Sequence, residues 1–383
     1  MANITLFAQI VRKIPREIIN SIFQNYNSDK FCKGFNTWSH LITMIFCQFA
    51  HCTSLREISN GLKSATGNLN HLGMGRAPSK SILSYQNEHR PSQIFKECYY
   101  ALFSYLGQQA VFEEHHYPVK KAVKFLDSTV ISLCLSLYDW AYYRTSKGAI
   151  KLHTLLDSDS LLPEYVLISN GKKTDNVVAV SIPLKRNTLV VADRGCEDFR
   201  LLNNWDSSGV FFIVRHKENL CFRSVKEREL PPYKHQNILK DEDILLEKEG
   251  TFKKYPRRLR RVVSYDEKNH KAVELLTNNF DLAASSIAAL YKARWQIEIF
   301  FRHLKQLLHV KTFVGTNANA VEIQIWTALI TILLLSYLKQ TAQYPWSLSN
   351  LVSSLRLNTF TKIDLQKWLN EPFKPPSDEA IFS

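Results

Sequence analysis

The sequence predicts an α/β fold, a mixed sheet flanked by helices, with a helical region before it and a β-rich insertion within it. Three observations predict this. Residues 1–110 carry helical periodicity and helix-start signals. From about 118 the pattern changes to short β-branched runs that alternate with helical ones. After Asn278-Asn279 helical periodicity returns and runs through Leu308, and a second helix covers 320–341. The domains expected are a helical N-terminal domain (1–110), a sheet core in two parts (118–215 and 278–345), a β-rich insertion (216–277) and a C-terminal tail (346–383).

Within the N-terminal region, Ser54 and Glu57 form a capping box for one helix. A loop with Gly67, Gly73 and Gly75 follows. The stretch from Arg76 to Arg90 reads as a helix capped by Ser79, whose first turn presents Lys80, Ser81 and Ser84. Short polar and basic side chains at a helix start suit phosphates or base edges, so a helix-turn-helix-like module is expected beside the plainer reading of a helical bundle. Strands follow at 123–132, 149–157 and 164–169, the last two joined by the turn-rich Asp157-Ser158-Asp159-Ser160. A short helix is expected over 176–182. The run Thr188 to Asp193 reads as a strand buried on both faces. A helix at 197–204 and a buried strand at 210–215 complete the first part of the core. The insertion is charged, and its densest basic cluster is Lys253, Lys254, Tyr255, Pro256, Arg257, Arg258, Leu259, Arg260 and Arg261.

Length and charge narrow the function. A chain of 383 residues buries a large core and exceeds the usual size of one domain. Its net charge of +14 is spread along the chain, and 12% of its residues are aromatic, which fits a folded nucleic-acid binder, with a basic but otherwise ordinary enzyme as the plainer alternative, and excludes a disordered polycation. The 7 cysteines form no CxxC pair, which argues against a disulfide framework or zinc module and for a reducing cytoplasm. The N-terminus shows no signal-peptide pattern. The apolar run Ile323 to Leu338 is broken by Gln324, Thr327, Thr331 and Ser336 and reads as a buried helix.

The chemistry is expected at three carboxylates. Asp127 lies within an apolar strand and Asp193 ends another, and a buried acid needs a partner, for which a divalent metal is well suited. The third is Glu298. On one helix, Tyr291, Arg294, Glu298 and Lys305 fall within roughly 60° of one another, giving a polar strip on an apolar side. Such a strip forms a wall of a site rather than a solvated face. Three acids on oxygen-only chemistry suit two Mg²⁺ or Mn²⁺ ions and in-line phosphoryl transfer.

These residues resemble a known family. Tyr291, Arg294, Glu298 and Lys305 match the Tyr-Arg-Glu-Lys signature of one branch of the DDE transposases of bacterial insertion sequences. Phe125-Leu126-Asp127-Ser128-Thr129 resembles the first-acid motif and Ala192-Asp193-Arg194-Gly195 the second. Lys147 to Asp157 and Ile168 to Asp175 are similar to segments between them. Pro78 to Ser81 and Asn87 to Arg90 resemble an N-terminal domain found on a subset of these enzymes. The resemblance implies an RNase H-like core with a β-rich insertion. It implies metal binding by Asp127, Asp193 and Glu298, and phosphate contacts from Tyr291, Arg294 and Lys305. It also implies cut-and-paste transposition through a DNA hairpin, a homodimer on paired double-stranded DNA ends, and a cytoplasmic, nucleoid-associated location. The alternatives are a structure-selective nuclease of the same fold and a DNA-binding descendant without catalysis.

Other residues carry expectations of their own. The resemblance also implies that an aromatic side chain of the insertion stacks on a base flipped from the hairpin; Phe252, Tyr255 and Tyr265 are the candidates, with ordinary packing as the favoured reading of each. The cations of 253–261 and Lys80 are expected to contact DNA. His153 reads as a hydrogen-bonded core histidine with metal approach as the alternative, Asp157 as a turn residue, and Trp295 as core. Arg194 is read either as a DNA contact or as part of an ion pair.

Overall fold

The structure is a computed structural model. It describes residues 3–65, 67–109, 117, 119–133, 138–144, 147–216, 220–230, 237–308 and 313–374. The expected boundaries at 110 and 118, and residues 375–383 of the expected tail, lie outside the described residues.

In chain order the elements begin with α1 (Leu6–Val11), α2 (Arg16–Asn25), α3 (Thr37–Ala50), α4 (Leu55–Ser64), α5 (Lys80–His89) and α6 (Ser92–Gln109). Next come β1 (Val123–Leu133), β2 (Tyr142–Arg144), β3 (Lys147–Asp157), β4 (Pro163–Asn170), α7 (Asp175–Ala179), β5 (Leu189–Ala192), α8 (Phe199–Ser207) and β6 (Phe211–Arg215). They continue with β7 (Phe222–Glu227), β8 (Ile238–Leu246), α9 (Glu249–Phe252), β9 (Leu259–Asp266), β10 (Lys271–Thr277), α10 (Ala284–Ala293) and α11 (Trp295–Leu308). The last three are α12 (Ala318–Thr341), α13 (Leu348–Leu357) and α14 (Leu365–Asn370). The chain forms two compact units. One comprises Met1–Glu113, Ser132–Ala141 and Arg302–Ser383, the other Glu114–Ile131 and Tyr142–Phe301.

The first unit is helical. Its helices start where short polar side chains satisfy the free amides of the first turn. Thr5, Asn36, Ser54, Ser79, Asn317, Ser347 and Asp364 each accept from a backbone N–H three residues on. The expected capping box forms with a shift: Ser54 accepts from the Glu57 amide, while the Glu57 carboxylate receives the amide of Thr53 at 2.7 Å rather than that of Ser54. The long apolar helix α12 packs on α3, α5, α6, α13 and α14. It is long and apolar enough by itself to cross a membrane, yet 83% of its most apolar window is buried, as in the core helix expected from its sequence. Sequence grouping placed this helix with the sheet core, whereas it is built into the helical unit.

The second unit is organised by one large mixed sheet. The strands run β2-β3-β1-β5-β6-β10-β9-β8-β7, with β4 on β3. β1, β5 and β6 are parallel neighbours, and β3 pairs antiparallel with β4. β5 is wholly buried, as its unbroken apolar run requires of a strand covered on both faces. The charged region after 215 carries β7 to β10, and its strands continue the same sheet, because β10 pairs antiparallel with β6 through Leu275↔Arg215 and Thr277↔Ile213. The core beneath includes Leu126, Val190, Leu202, Trp205, Phe212, Ile244, Tyr255 and Leu276. Each large apolar side chain there contributes about 1.5–3 kcal/mol by burial.

Candidate active site

The register of β1 and β5 sets the site. Phe125 pairs with Val191 and Leu126 with Ala192, so Asp127 and Asp193 follow at the same level of two adjacent parallel strands. Asp193 leaves the strand and caps a short turn at 194–196, accepting the Gly195 amide at 2.7 Å. Glu298 comes from the first turn of α11.

Arg294 ties these elements together. It stands at the junction of α10 and α11 with helical backbone angles, so the expected continuous helix is two helices meeting at this residue. Its guanidinium donates to Asp127 Oδ2 at 2.5 Å and to Glu298 Oε1 at 3.0 Å, and lies 5.7 Å from the centroid of the Tyr291 ring. Its buried Nε has no hydrogen-bond partner among the described residues. Burial is the largest influence on Asp127 and pushes its pKa up to about 6. Arg294 opposes that rise, and the nearby Asp193 and Glu298 charges add to it. Burial acts to lower the Arg294 pKa, but Asp127, Tyr291, Glu298 and Asp193 outweigh it and hold the guanidinium charged. Burial also raises the Tyr291 pKa, against the pull of Arg294 and Arg215. Tyr291, Arg294, Glu298 and both strand acids therefore form one electrostatic cluster. Lys305 sits about two turns beyond Glu298 on α11, half-buried, and burial lowers its pKa.

A second layer went unassigned in the sequence reading. Asp175, the first residue of α7, accepts from Lys151 Nζ at 2.9 Å and binds His153 Nδ1 at 2.9 Å, while His153 Nε2 meets Ser169 at 3.0 Å. Its pKa falls to about 2, because the bonds from His153, Ser128 and Lys151 and the Lys151 charge together outweigh the opposing, and single largest, effect of burial. A Cβ on Gly195 would stand 2.9 Å from Asp193 Oδ1 and 3.5 Å from Asp175 Oδ2, so Asp175 borders the second acid. The signal was the alternation of Lys151 and His153 on one face of β3, two polar groups that need an acid opposite. His153 is thereby a hydrogen-bonded core histidine. Asp157 accepts the Ser160 amide as a turn residue does, and also pairs with the buried Lys124 at 2.6 Å.

The basic cluster divides. Arg260 is buried and forms a bidentate pair with Asp241 at 2.8 and 2.7 Å, and Arg261 lies between Glu242 and Glu274, at 2.6 and 2.8 Å. Both were expected to face DNA. Alternation along β9 instead turns them onto acids of the neighbouring strands β8 and β10. Lys253, Lys254, Arg257 and Arg258 are exposed, with Lys253 near Glu249 and Arg257 near Asp206. Tyr255, a candidate for base stacking, is fully buried, edge-on to Phe212, with its hydroxyl on Asp206 at 2.9 Å. Phe252 and Tyr265 remain exposed. Trp295 was expected in the core and is 59% exposed, because a direction away from the polar strip at this helix junction also leads to solvent. Arg194 is exposed and has no ion pair among the described residues. Lys80 is exposed at the first position of α5.

Similarity to known proteins decides the family. Residues 119–334 match the family model described as a transposase DDE domain. The chain belongs to the DDE-domain transposases. Residues 2–75 also match a domain of unknown function, DUF4372. Among curated relatives, a putative transposase, y4zB, of Sinorhizobium fredii is 30% identical over 68% of this chain and 71% of its own length. A probable transposase for insertion sequence element IS5377 of Geobacillus stearothermophilus is 29% identical over 57% of each chain. A putative transposase for element IS4SA of Synechocystis is 21% identical over 78% of this chain and 82% of its own. This chain is thus a transposase of the insertion-sequence type, and such enzymes act on DNA.

The family implies a divalent metal. Among the described residues no group of three His, Cys, Asp or Glu side chains is already gathered around one point. The donors nevertheless fit. Asp127, Asp193 and Glu298 offer oxygens alone, and Asp127 lies within reach of the negative charges of Asp193 and Glu298, which a divalent cation would offset.

Proposed function

We propose that this transposase moves its element by a cut-and-paste route, with Asp127, Asp193 and Glu298 as the catalytic acids of an RNase H-like core. The observation that carries the reading is the Arg294 guanidinium shared between Asp127 and Glu298, beside Asp193 on the adjacent parallel strand. The strand order β4-β3-β1-β5-β6 supports the RNase H-like assignment.

In this reading the three acids hold two Mg²⁺ or Mn²⁺ ions, which would lower the pKa of an attacking hydroxyl and stabilise the leaving oxygen. Tyr291, Arg294 and Lys305 hold the phosphates that flank the scissile bond, Arg294 as a planar fork and Lys305 as a point charge. Arg294 keeps Asp127 ionised while the site is open and can turn from carboxylate to phosphate once DNA enters. Asp175 fixes the strand face behind Asp193. Water nicks the transposon end, and the freed 3′-hydroxyl attacks the opposite strand to close a hairpin. Once the hairpin is reopened, the same hydroxyl attacks target DNA. The helical region 1–110, with Lys80 at the start of α5, binds the terminal inverted repeats. The exposed Lys253, Lys254, Arg257 and Arg258 track phosphates. A homodimer holds two ends together, in the cytoplasm at the nucleoid.

The test is a labelled duplex carrying the element's terminus and flank, incubated with the full chain in Mg²⁺ or EDTA, with products resolved on denaturing gels. A metal-dependent nick, then a hairpin, then joining to a target plasmid is expected. Cutting of both strands without joining would assign a nuclease. Specific binding without any cut would leave a DNA-binding protein.

A further inference from the structure

The loop between α2 and α3 displays one aromatic ring in a way that packing does not explain. Phe31 is 89% exposed, the most exposed large apolar side chain among the described residues. Its backbone is left-handed, at φ 62°, a region bulky L-residues seldom enter. Asn27 and Gly34 nearby also have positive φ, at 49° and 105°. The loop is nevertheless tied down. Lys30 donates its amide to Asn27 and Cys32 to Asp29, at 3.1 and 3.0 Å. Asp29 accepts both the amide and the hydroxyl of Thr37, at 2.6 and 2.7 Å, and lies 3.6 Å from the buried Arg90. A strained backbone held in place by its surroundings, presenting a ring to solvent, points to a partner for that ring.

The charges around it say which partner. Lys30 Nζ lies 5.3 Å from the Phe31 ring centroid, Lys33 follows two residues on, and the Arg76 guanidinium passes over Gly34, 3.3 Å from where a Cβ would stand. All three cations are exposed and none has an ion pair among the described residues. In the stretch 27–34 Phe31 is the one large apolar side chain. An apolar protein surface would be met by several neighbouring apolar groups. A lone ring among unpaired cations matches stacked bases flanked by phosphates.

We propose that Phe31 is a wedge that enters a base step of duplex DNA and stacks on the exposed base, while Lys30, Lys33 and Arg76 hold the flanking phosphates. This rests on the reading of the chain as an enzyme that binds DNA, and it adds a contact outside the acidic site. Such a wedge would bend or open the duplex where the N-terminal unit binds.

The experiment uses the full chain and duplexes of the element's terminal repeat carrying 2-aminopurine at successive positions. Wild type should raise the fluorescence at one or two adjacent steps, reporting lost stacking. Phe31→Ala and Phe31→Asn should abolish that rise and weaken binding about 5- to 100-fold, with an unchanged salt slope. Asn tolerates the left-handed region, so Phe31→Asn should melt no lower than wild type, which separates the ring's contact from any role in folding. Lys30→Ala with Lys33→Ala should instead lower the salt slope, by about one to two. Wild-type affinity and fluorescence from Phe31→Asn would overturn the wedge. So would a change in the sedimentation of the free protein with DNA affinity intact, which would assign the ring to a protein interface. If wild type itself bound no duplex, the DNA-binding reading would fall together with the wedge.

Discussion

Replacing Arg260 by alanine separates fold from function within the basic cluster. Its side chain is 3% exposed and its partner Asp241 5%, and the guanidinium also donates to the carbonyls of Leu282 at 2.6 Å and Asn279 at 3.3 Å. Arg260→Ala leaves a buried carboxylate without a cation and two carbonyls without donors, a loss of about 3–5 kcal/mol. For a unit of this size that is a fall in melting temperature of about 6–20 °C, measured by calorimetry on the free chain. Salt-dependent DNA binding, measured below the transition, should keep its slope. Because the cost arises mainly from the stranded Asp241, Arg260→Leu combined with Asp241→Leu should recover most of the stability, to within about 1–2 kcal/mol of wild type. Wild-type melting of Arg260→Ala together with weakened DNA binding would refute the reasoning and place the guanidinium on DNA.

Three further outcomes follow from the same geometry. Lys254→Ala with Arg258→Ala removes exposed cations and should cut the salt slope of DNA binding by about two, with thermal stability within about 0.5 kcal/mol of wild type; an unchanged slope would remove them from the interface. Gly195→Ala brings a Cβ to 2.9 Å from Asp193 Oδ1, so end cleavage should fall about 100-fold while DNA affinity holds, and unimpaired cleavage would show that this carboxylate's position is unimportant. His40 is held neutral, its pKa lowered to about 3 mainly by burial and further by the Arg90 charge, against the Asn87 hydrogen bond. A folded pKa below the unfolded value of about 6.5 contributes stability above pH 6.5 that is lost as pH falls toward 3. Urea stability should therefore drop between pH 6.5 and 4.5 less steeply in His40→Gln than in wild type, and parallel curves would contradict this.

The strands and helix starts were legible because each has a local cause. Asp127 and Asp193 stood out as acids where apolar runs leave no cheap place for one, and Ser54 and Ser79 as caps before periodic helices. Arg260 and Arg261 were misjudged for one shared reason. They belong to strand β9, where the facing strand decides which side chain is buried, and β8 supplies Asp241 and Glu242 from a distance in sequence. A run of cations looks continuous in sequence, but a strand turns successive residues to opposite faces. Trp295 was misplaced because the helix was read as uninterrupted, with two directions, strip and core. At the junction by Arg294 a third direction leads to water. Asp175 was overlooked because its role appears only once β3 sets Lys151 and His153 side by side. The union of α12 with the N-terminal helices is a long-range packing outcome, and no local pattern encodes its partners.

The central claim is that Asp127, Asp193 and Glu298 act as one catalytic group. The most direct measurement compares single-turnover end cleavage and DNA affinity of wild type with Asp127→Asn, Asp193→Asn and Glu298→Gln, which keep shape and remove charge. The account predicts that each variant binds the terminal duplex as wild type does and loses cleavage by about 1,000-fold or more in Mg²⁺. Cleavage within about tenfold of wild type in any one of them would remove that residue from the site and contradict the account.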